Sequence, residues 1–244
     1  MFLRCIQSDF YKFRHTSMLL IHFLLPLGAA AAFLAYYTVS PWKPDAKISG
    51  YFEMLGVSFP LVIGLVCSKA IEQEGQAGSF QNMLCGTKSR AAVWLSKLTV
   101  MFLLGVCSIA LATATFAIGF KVALPSTYIK IAVLLIAGSV FLYILHLFVS
   151  LQYGRGASIG LGIMESLVSA LALTGMGDRI WYYIPCTWSA RFADDVVYTW
   201  LNPANNFGIS EMQKGLLFAV PATIVAMILA LFWFRDCEGR KSCD

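Results

Sequence analysis

Few side chains in this 244-residue chain offer acid–base chemistry away from water. His22 and His146 fall inside apolar runs, and Glu165 is the one carboxylate well inside such a run; His15 lies in the basic leader. An ionisable group within a membrane span is a functional candidate by default, although a histidine there serves equally well as a hydrogen bond between helices. No HExxH, paired-Asp or GxSxG pattern joins them into a hydrolytic constellation. Nucleotide motifs fail too. Gly86-Thr87-Lys88-Ser89 falls short of a P-loop, because Thr87 separates Gly86 from Lys88, Gln81 stands where the first glycine belongs, and no apolar strand precedes it. Gly154-Arg155-Gly156-Ala157-Ser158-Ile159-Gly160 misses GxGxxG by one residue, and its better reading is Gly156-x-x-x-Gly160, small residues that let two helices pack closely. The seven cysteines show no CxxC or Cys/His spacing, so neither a metal nor a cofactor is expected. If the chain does energy-driven work, ATP must be bound by another subunit.

The elements around these residues follow from composition. Apolar residues make up 59% and charged residues 13% of the chain, and mean hydropathy is +0.72. A soluble domain is about half apolar and about a quarter charged, so this chain lacks the polar surface to cover a water-facing globule. The expected fold is an all-α polytopic membrane protein. Six runs are long enough to span: 18–39, 52–71, 98–120, 131–151, 157–176 and 216–234. The second is the weakest, with Glu53 and Lys69 near its ends. The basic start, first apolar run and Gly28–Ala32 also fit a signal peptide, but the run continues through Tyr36-Tyr37, long enough to cross. Residues 1–17 read as an amphipathic helix lying in the membrane interface, with Phe2, Leu3, Ile6, Phe10 and Phe13 on one face.

Six spans place both termini on one side. With that side cytoplasmic, inner segments carry 11 Lys and Arg and outer segments 7, over nearly equal lengths. The net charge of +5 thus reads as an orientation signal, with no nucleic-acid partner implied. Two longer polar stretches remain. The inner one, 68–97, places Phe80, Met83 and Leu84 on one helical face between Gly75, Gly78 and Gly86, as a short surface helix would. The outer one, 177–215, opens on Trp181-Tyr182-Tyr183, read as interface aromatics, and continues with helical spacing over 189–201, read as a helix lying on the outer face. Asp178, Asp194 and Asp195 there either attract a cationic ligand at long range or form a solvated acidic face.

Taken in order, these features resemble a known family. The leader MFLRCIQSDFYKFRHT is similar to that of bacterial ABC-2-type permeases, and EQEGQAGSFQNML, Arg90 and WLSKL resemble their inner coupling segment. The run GASIGLGIMESLVSALALTGMGDRIWYYIPCTW at 156–188 resembles lantibiotic-immunity permeases of the MutG type, with Cys186 departing where Trp is expected after Ile-Pro. The resemblance implies that Glu72, Glu74, Gly75, Phe80, Met83, Leu84 and Arg90 belong to the segment that engages a cytoplasmic ABC ATPase, present in two copies. It also implies a second related permease, or a homodimer, and an antimicrobial peptide expelled from the lipids of a bacterial plasma membrane. On that reading Glu165, Asp178, Trp181, Asp194 and Asp195 border the substrate path. Two alternatives stay open: an ABC-2 permease for a bacitracin-like antibiotic, a lipid or sodium, and a non-transporting membrane sensor or assembly protein.

Overall fold

The computed structural model describes residues 2–14, 16–78, 80 and 89–235, and these contain helices and no strand. In chain order they are α1 (Phe2–Arg14), α2 (Met18–Val39), α3 (Pro44–Gln76), α4 (Arg90–Gly119), α5 (Pro125–Tyr153), α6 (Arg155–Ala172), α7 (Trp188–Leu201) and α8 (Phe207–Arg235). Two 3₁₀ turns, Trp181–Tyr183 and Pro185–Thr187, lead into α7. His15, Met83 and Leu84 lie outside the described residues.

Local chemistry sets the helix ends. Pro44 and Pro125 stand in the first turns of α3 and α5, where their missing N–H is no loss. The Ser89 hydroxyl accepts from the Ala92 amide and caps α4. Between α5 and α6 only Gly154 intervenes, at φ 86°, a left-handed conformation that reverses the chain in one residue. Pro26, Pro60 and Pro221 sit inside α2, α3 and α8, as membrane helices tolerate when neighbours satisfy the freed carbonyls.

Among the described residues five helices, α2, α3, α4, α5 and α8, are long and apolar enough to cross a membrane. The expected fifth span, 157–176, is not among them. Its helix, α6, has 18 residues and carries Arg155 and Glu165, which shortens and dilutes the apolar run. The weak second span proves the longest helix: α3 has 33 residues, about 50 Å, and extends beyond the expected 52–71 at both ends, into the start of the inner segment. It packs against α5, α6 and α7 and forms the spine of the fold. One apolar cluster, around Phe13, Met18, Cys67, Trp94 and Leu147, lies toward the end carrying α1. A second, around Tyr37, Tyr51, Phe52, Phe116 and Tyr128, lies toward the far end, with Tyr51 and Phe116 stacked at 3.9 Å.

Helix α7 departs most from expectation. It is not laid on a surface but wedged between α3 and α5. A Cβ at Gly56 would come 2.5 Å from Ala190 Cα, and one at Gly138 would come 2.7 Å from the Ser189 amide nitrogen. Apolar and small residues on more than one side of α7 (Trp188, Ala190, Phe192, Ala193, Val196, Val197) let it be buried nearly all round. The chain leaves α6 at the far end and dips back until Cys186 O accepts from Ser169 Oγ at 3.1 Å. It then rises along α7 until Asp194 meets Ser49. The expected small-residue seam is also misplaced: a Cβ on Gly156 or Gly160 would meet nothing. Two residues on, the opposite face holds Ser158 and Gly162, and a Cβ on Gly162 would come 2.8 Å from Pro60 O.

Candidate functional site

Polar groups gather at three levels along α3. The lowest joins α1, α3 and α4. Lys97 Nζ donates to Asp9 Oδ1 at 3.2 Å and to Glu74 Oε1 at 2.8 Å. Lys12 Nζ donates to the two Glu74 oxygens at 2.8 and 3.1 Å, and Ser96 Oγ donates to Asp9 Oδ2 at 2.6 Å. The Lys97 side chain is 1% exposed and sits 5.4 Å from the Phe13 ring centroid. Two cations facing two carboxylates cancel, and each buried charge has charge-assisted hydrogen bonds, the condition under which such groups are tolerated. Glu74, expected to face an ATPase, is therefore committed inside the chain. Its neighbour Glu72 is surface-exposed and accepts from Arg155 Nη1 at 3.0 Å.

Gly75 and Phe80 also meet within the chain. A Cβ on Gly75 would come 3.1 Å from Phe80 Cζ, so the ring folds back over the last turn of α3. Phe80 is half-buried against the lower core instead of standing fully clear. Arg90 opens α4, and its Nη1 donates to Arg235 O at 3.0 Å, tying the starts and ends of two helices together.

The middle level brings together the two groups the sequence placed in separate runs. His146 Nε2 and Glu165 Oε2 are 2.8 Å apart, His146 Nδ1 and Ser158 Oγ are 2.9 Å apart, and Ser158 Oγ donates to Gly64 O at 3.1 Å. Ser158 has one hydroxyl hydrogen and gives it to Gly64 O. The Nδ1 of His146 must therefore carry a proton and donate to Ser158. One further proton lies between Nε2 and Glu165. Either the carboxylic acid donates to a neutral ring or an imidazolium donates to a carboxylate, and the pair is neutral both ways. Closeness depends on Gly64, because a Cβ there would come 2.7 Å from Ser158 O and 3.0 Å from the His146 ring.

The far level joins α3 and α7. The Ser49 hydroxyl donates to Glu53 and lies 3.4 Å from Asp194 Oδ1. Asp178 accepts from Arg191 Nη2 at 2.8 Å, so its charge is already answered. Asp195 faces α8, and its Oδ2 is buried without a hydrogen-bond partner among the described residues. Burial, then the charges of Asp194 and Glu211, push its carboxyl up to about 8 against the opposing pull of Arg191. Trp181, expected as an interface anchor, is buried edge-to-face against Phe192 at 5.7 Å and above Gly215.

Three of the expected path residues, Trp181, Asp194 and Asp195, thus stand on or against α7. Sequence reasoning missed Asp9 and Lys97. The available signal was a lone acid in a basic leader and a lysine just before a long apolar run. Among the described residues no three His, Cys, Asp or Glu side chains converge as a metal would require. The described cysteines, Cys5, Cys67, Cys107 and Cys186, are free thiols. No curated protein and no solved structure matches the chain. The sequence model of one family, described as ABC-2 family transporter protein, matches residues 5–172.

Proposed function

From the premise that the chain belongs to the ABC-2 family of transporter proteins, we propose that it removes lantibiotic or similar antimicrobial peptides from a bacterial plasma membrane. Family membership makes it a membrane permease of an ABC exporter, a transmembrane component that pairs with an ABC ATPase. The finer reading comes from the resemblance of residues 156–188 to lantibiotic-immunity permeases. It includes two ATPase copies, a second permease or a homodimer, six spans with α6 as the fifth, and both termini in the cytoplasm.

One observation carries the mechanism: a single helix, α3, links all three polar levels. At its lower end Glu74 is held by Lys12 and Lys97, so α1, α3 and α4 move as one block. Its upper half carries Gly64 against α6 and Gly56 against α7. Eighteen residues separate Glu74 from Gly56, about 27 Å of helix. A push delivered by the ATPase at the 77–89 segment between α3 and α4 then reaches α7 without an intermediate joint. That is the action of a lever. The cationic, amphipathic peptide leaves laterally as α7 shifts between α3 and α5.

The test is Phe80→Asp, which charges the connection below α3. Peptide-challenge survival is expected to fall to that of cells lacking the permease, while membrane insertion, measured by detergent-extracted yield, stays unchanged. Full protection with the ATPase still co-purifying defeats the assignment of this segment. Survival unaffected by deleting the permease altogether defeats the substrate, and leaves the family's other cargoes.

A further inference from the structure

Away from the three polar levels, a small, partly enclosed cavity of about 40 Å³ lies where α2, α3, α4 and α5 meet. Its polar lining is His22 from α2, Ser108 from α4, and Ser139 and Tyr143 from α5; Phe59 and Ile63 supply apolar wall. A space this size exceeds the roughly 10–15 Å³ that one water needs.

The hydrogen-bond inventory of the lining says what fits. His22 Nδ1 is 2.7 Å from Met18 O, and a carbonyl only accepts, so Nδ1 carries the hydrogen and Nε2 of the neutral ring is an acceptor. Ser108 Oγ donates to His22 O at 3.0 Å and Leu104 O at 3.1 Å, and Ser139 Oγ donates to Ile136 O at 2.8 Å. Both hydroxyls therefore face any guest as acceptors. Tyr143 supplies the remaining O–H, and its hydroxyl stands where a Cβ on Gly105 would otherwise be. His22 and Tyr143 are 6% and 5% exposed, yet Nε2 and the Tyr143 hydroxyl have no hydrogen-bond partner among the described residues. The lining thus offers three acceptors and one donor.

We propose that this cavity binds an ordered water molecule that bridges α2 to α5. A water donates twice and accepts from Tyr143, making the three bonds typical of buried water. It also gives partners to two polar atoms that the surrounding apolar side chains leave without one. A monovalent cation suits the acceptors less well, because no carboxylate lines the cavity to balance its charge. The bridge matters for α2 because that helix rests mainly on α4 and shares little direct packing with α3. Water supplies the polar link that direct side-chain contact does not.

X-ray radiolytic footprinting of the purified permease in ¹⁸O-labelled water tests this, because radicals formed from a bound water oxidise the residues touching it. Tyr51 is the control: it is fully buried and its hydroxyl donates to Ala112 O at 3.0 Å. Tyr143 is expected to be oxidised several-fold faster than Tyr51, and His22→Phe is expected to bring it down to the Tyr51 rate. Ser139→Ala, a milder change, is expected to lower the rate part-way if His22→Phe fails to fold. Equal oxidation of Tyr143 and Tyr51 in the unaltered protein overturns the proposal. So does a rise in melting temperature with sodium but not with equal choline, which assigns the cavity to a cation.

Discussion

The lower charge cluster and the mid-level histidine pair reach electroneutrality by opposite routes. Asp9, Lys12, Glu74 and Lys97 balance two cations with two anions, and the Lys12 side chain, one-third exposed, keeps one edge in touch with polar surroundings. His146 and Glu165 hold a single proton between them, deeper in the bundle. The first arrangement demands every partner, since losing one charge strands the others. The second demands only that one proton remain and that the helices stay close. This contrast suits a lever: rigid where force enters, adjustable where the helices must slide.

Lys97→Met is the severest way to break the comparison. It leaves Glu74 with Lys12 alone and Asp9 with only the Ser96 hydroxyl. Stranding a buried charge costs about 3–5 kcal/mol. The melting temperature of the purified permease is expected to collapse, and Asp9→Asn in the same chain is expected to restore part of it. A Lys97→Met protein as stable as the parent means the cluster clamps nothing.

The next effect probes closeness at the middle level. Gly162→Leu forces a side chain against Pro60 O and is expected to cost about 1–3 kcal/mol as overpacking. Gly160→Leu points into open space and is expected to leave the unfolding free energy within about 0.5 kcal/mol of the parent. Reversal of that order returns the seam to the pattern anticipated from Gly156 and Gly160.

Glu165→Gln sharpens the comparison further. The amide still donates one hydrogen to a neutral His146 Nε2, so a loss under about 1.5 kcal/mol is expected, the worth of an ordinary hydrogen bond. His146→Phe, which strands Glu165 and takes away the N–H that Ser158 accepts from, is expected to cost more. A loss from Glu165→Gln as large as that of Lys97→Met identifies an ion pair and erases the distinction.

The mildest expectation concerns pH at the far end. The Asp195 carboxyl lies at about 8 in the fold, above its ordinary value. The folded state therefore holds the proton more tightly than the unfolded chain. Its stabilising contribution is full below about pH 4 and declines as pH rises, until it is lost through about pH 8. The melting temperature is expected to fall across that window, and Asp195→Asn is expected to flatten the fall. An unchanged slope in Asp195→Asn assigns the pH dependence elsewhere.

Much of the fold was legible because apolar runs in a membrane protein are long and unambiguous. The helices at 18–39, 98–120, 131–151 and 216–234 all reappear with ends moved by up to about ten residues. The failures share one cause. Gly156 and Gly160 share a face, but sequence spacing does not say which face meets a neighbour. Arg191, Asp194 and Asp195 give the 189–201 helix the look of one wet side. The packed structure instead sets Asp194 beside Ser49 and Glu53 of α3 and pairs Arg191 with Asp178. Asp9 and Lys97 stand 88 positions apart, and nothing in either neighbourhood announces the other.

By itself the sequence determined the solvent, the helical class and the scarcity of charge, because these depend on composition and on the length of runs, which are local properties. Only the tertiary structure decided which scarce charges meet and which glycines lie in a seam. It also decided that α3 is the element joining all three levels. Those are questions of rotation about each helix axis and of depth along it. They are settled by close packing among α3, α5, α6 and α7, where a displacement of one residue turns a side chain by about 100°.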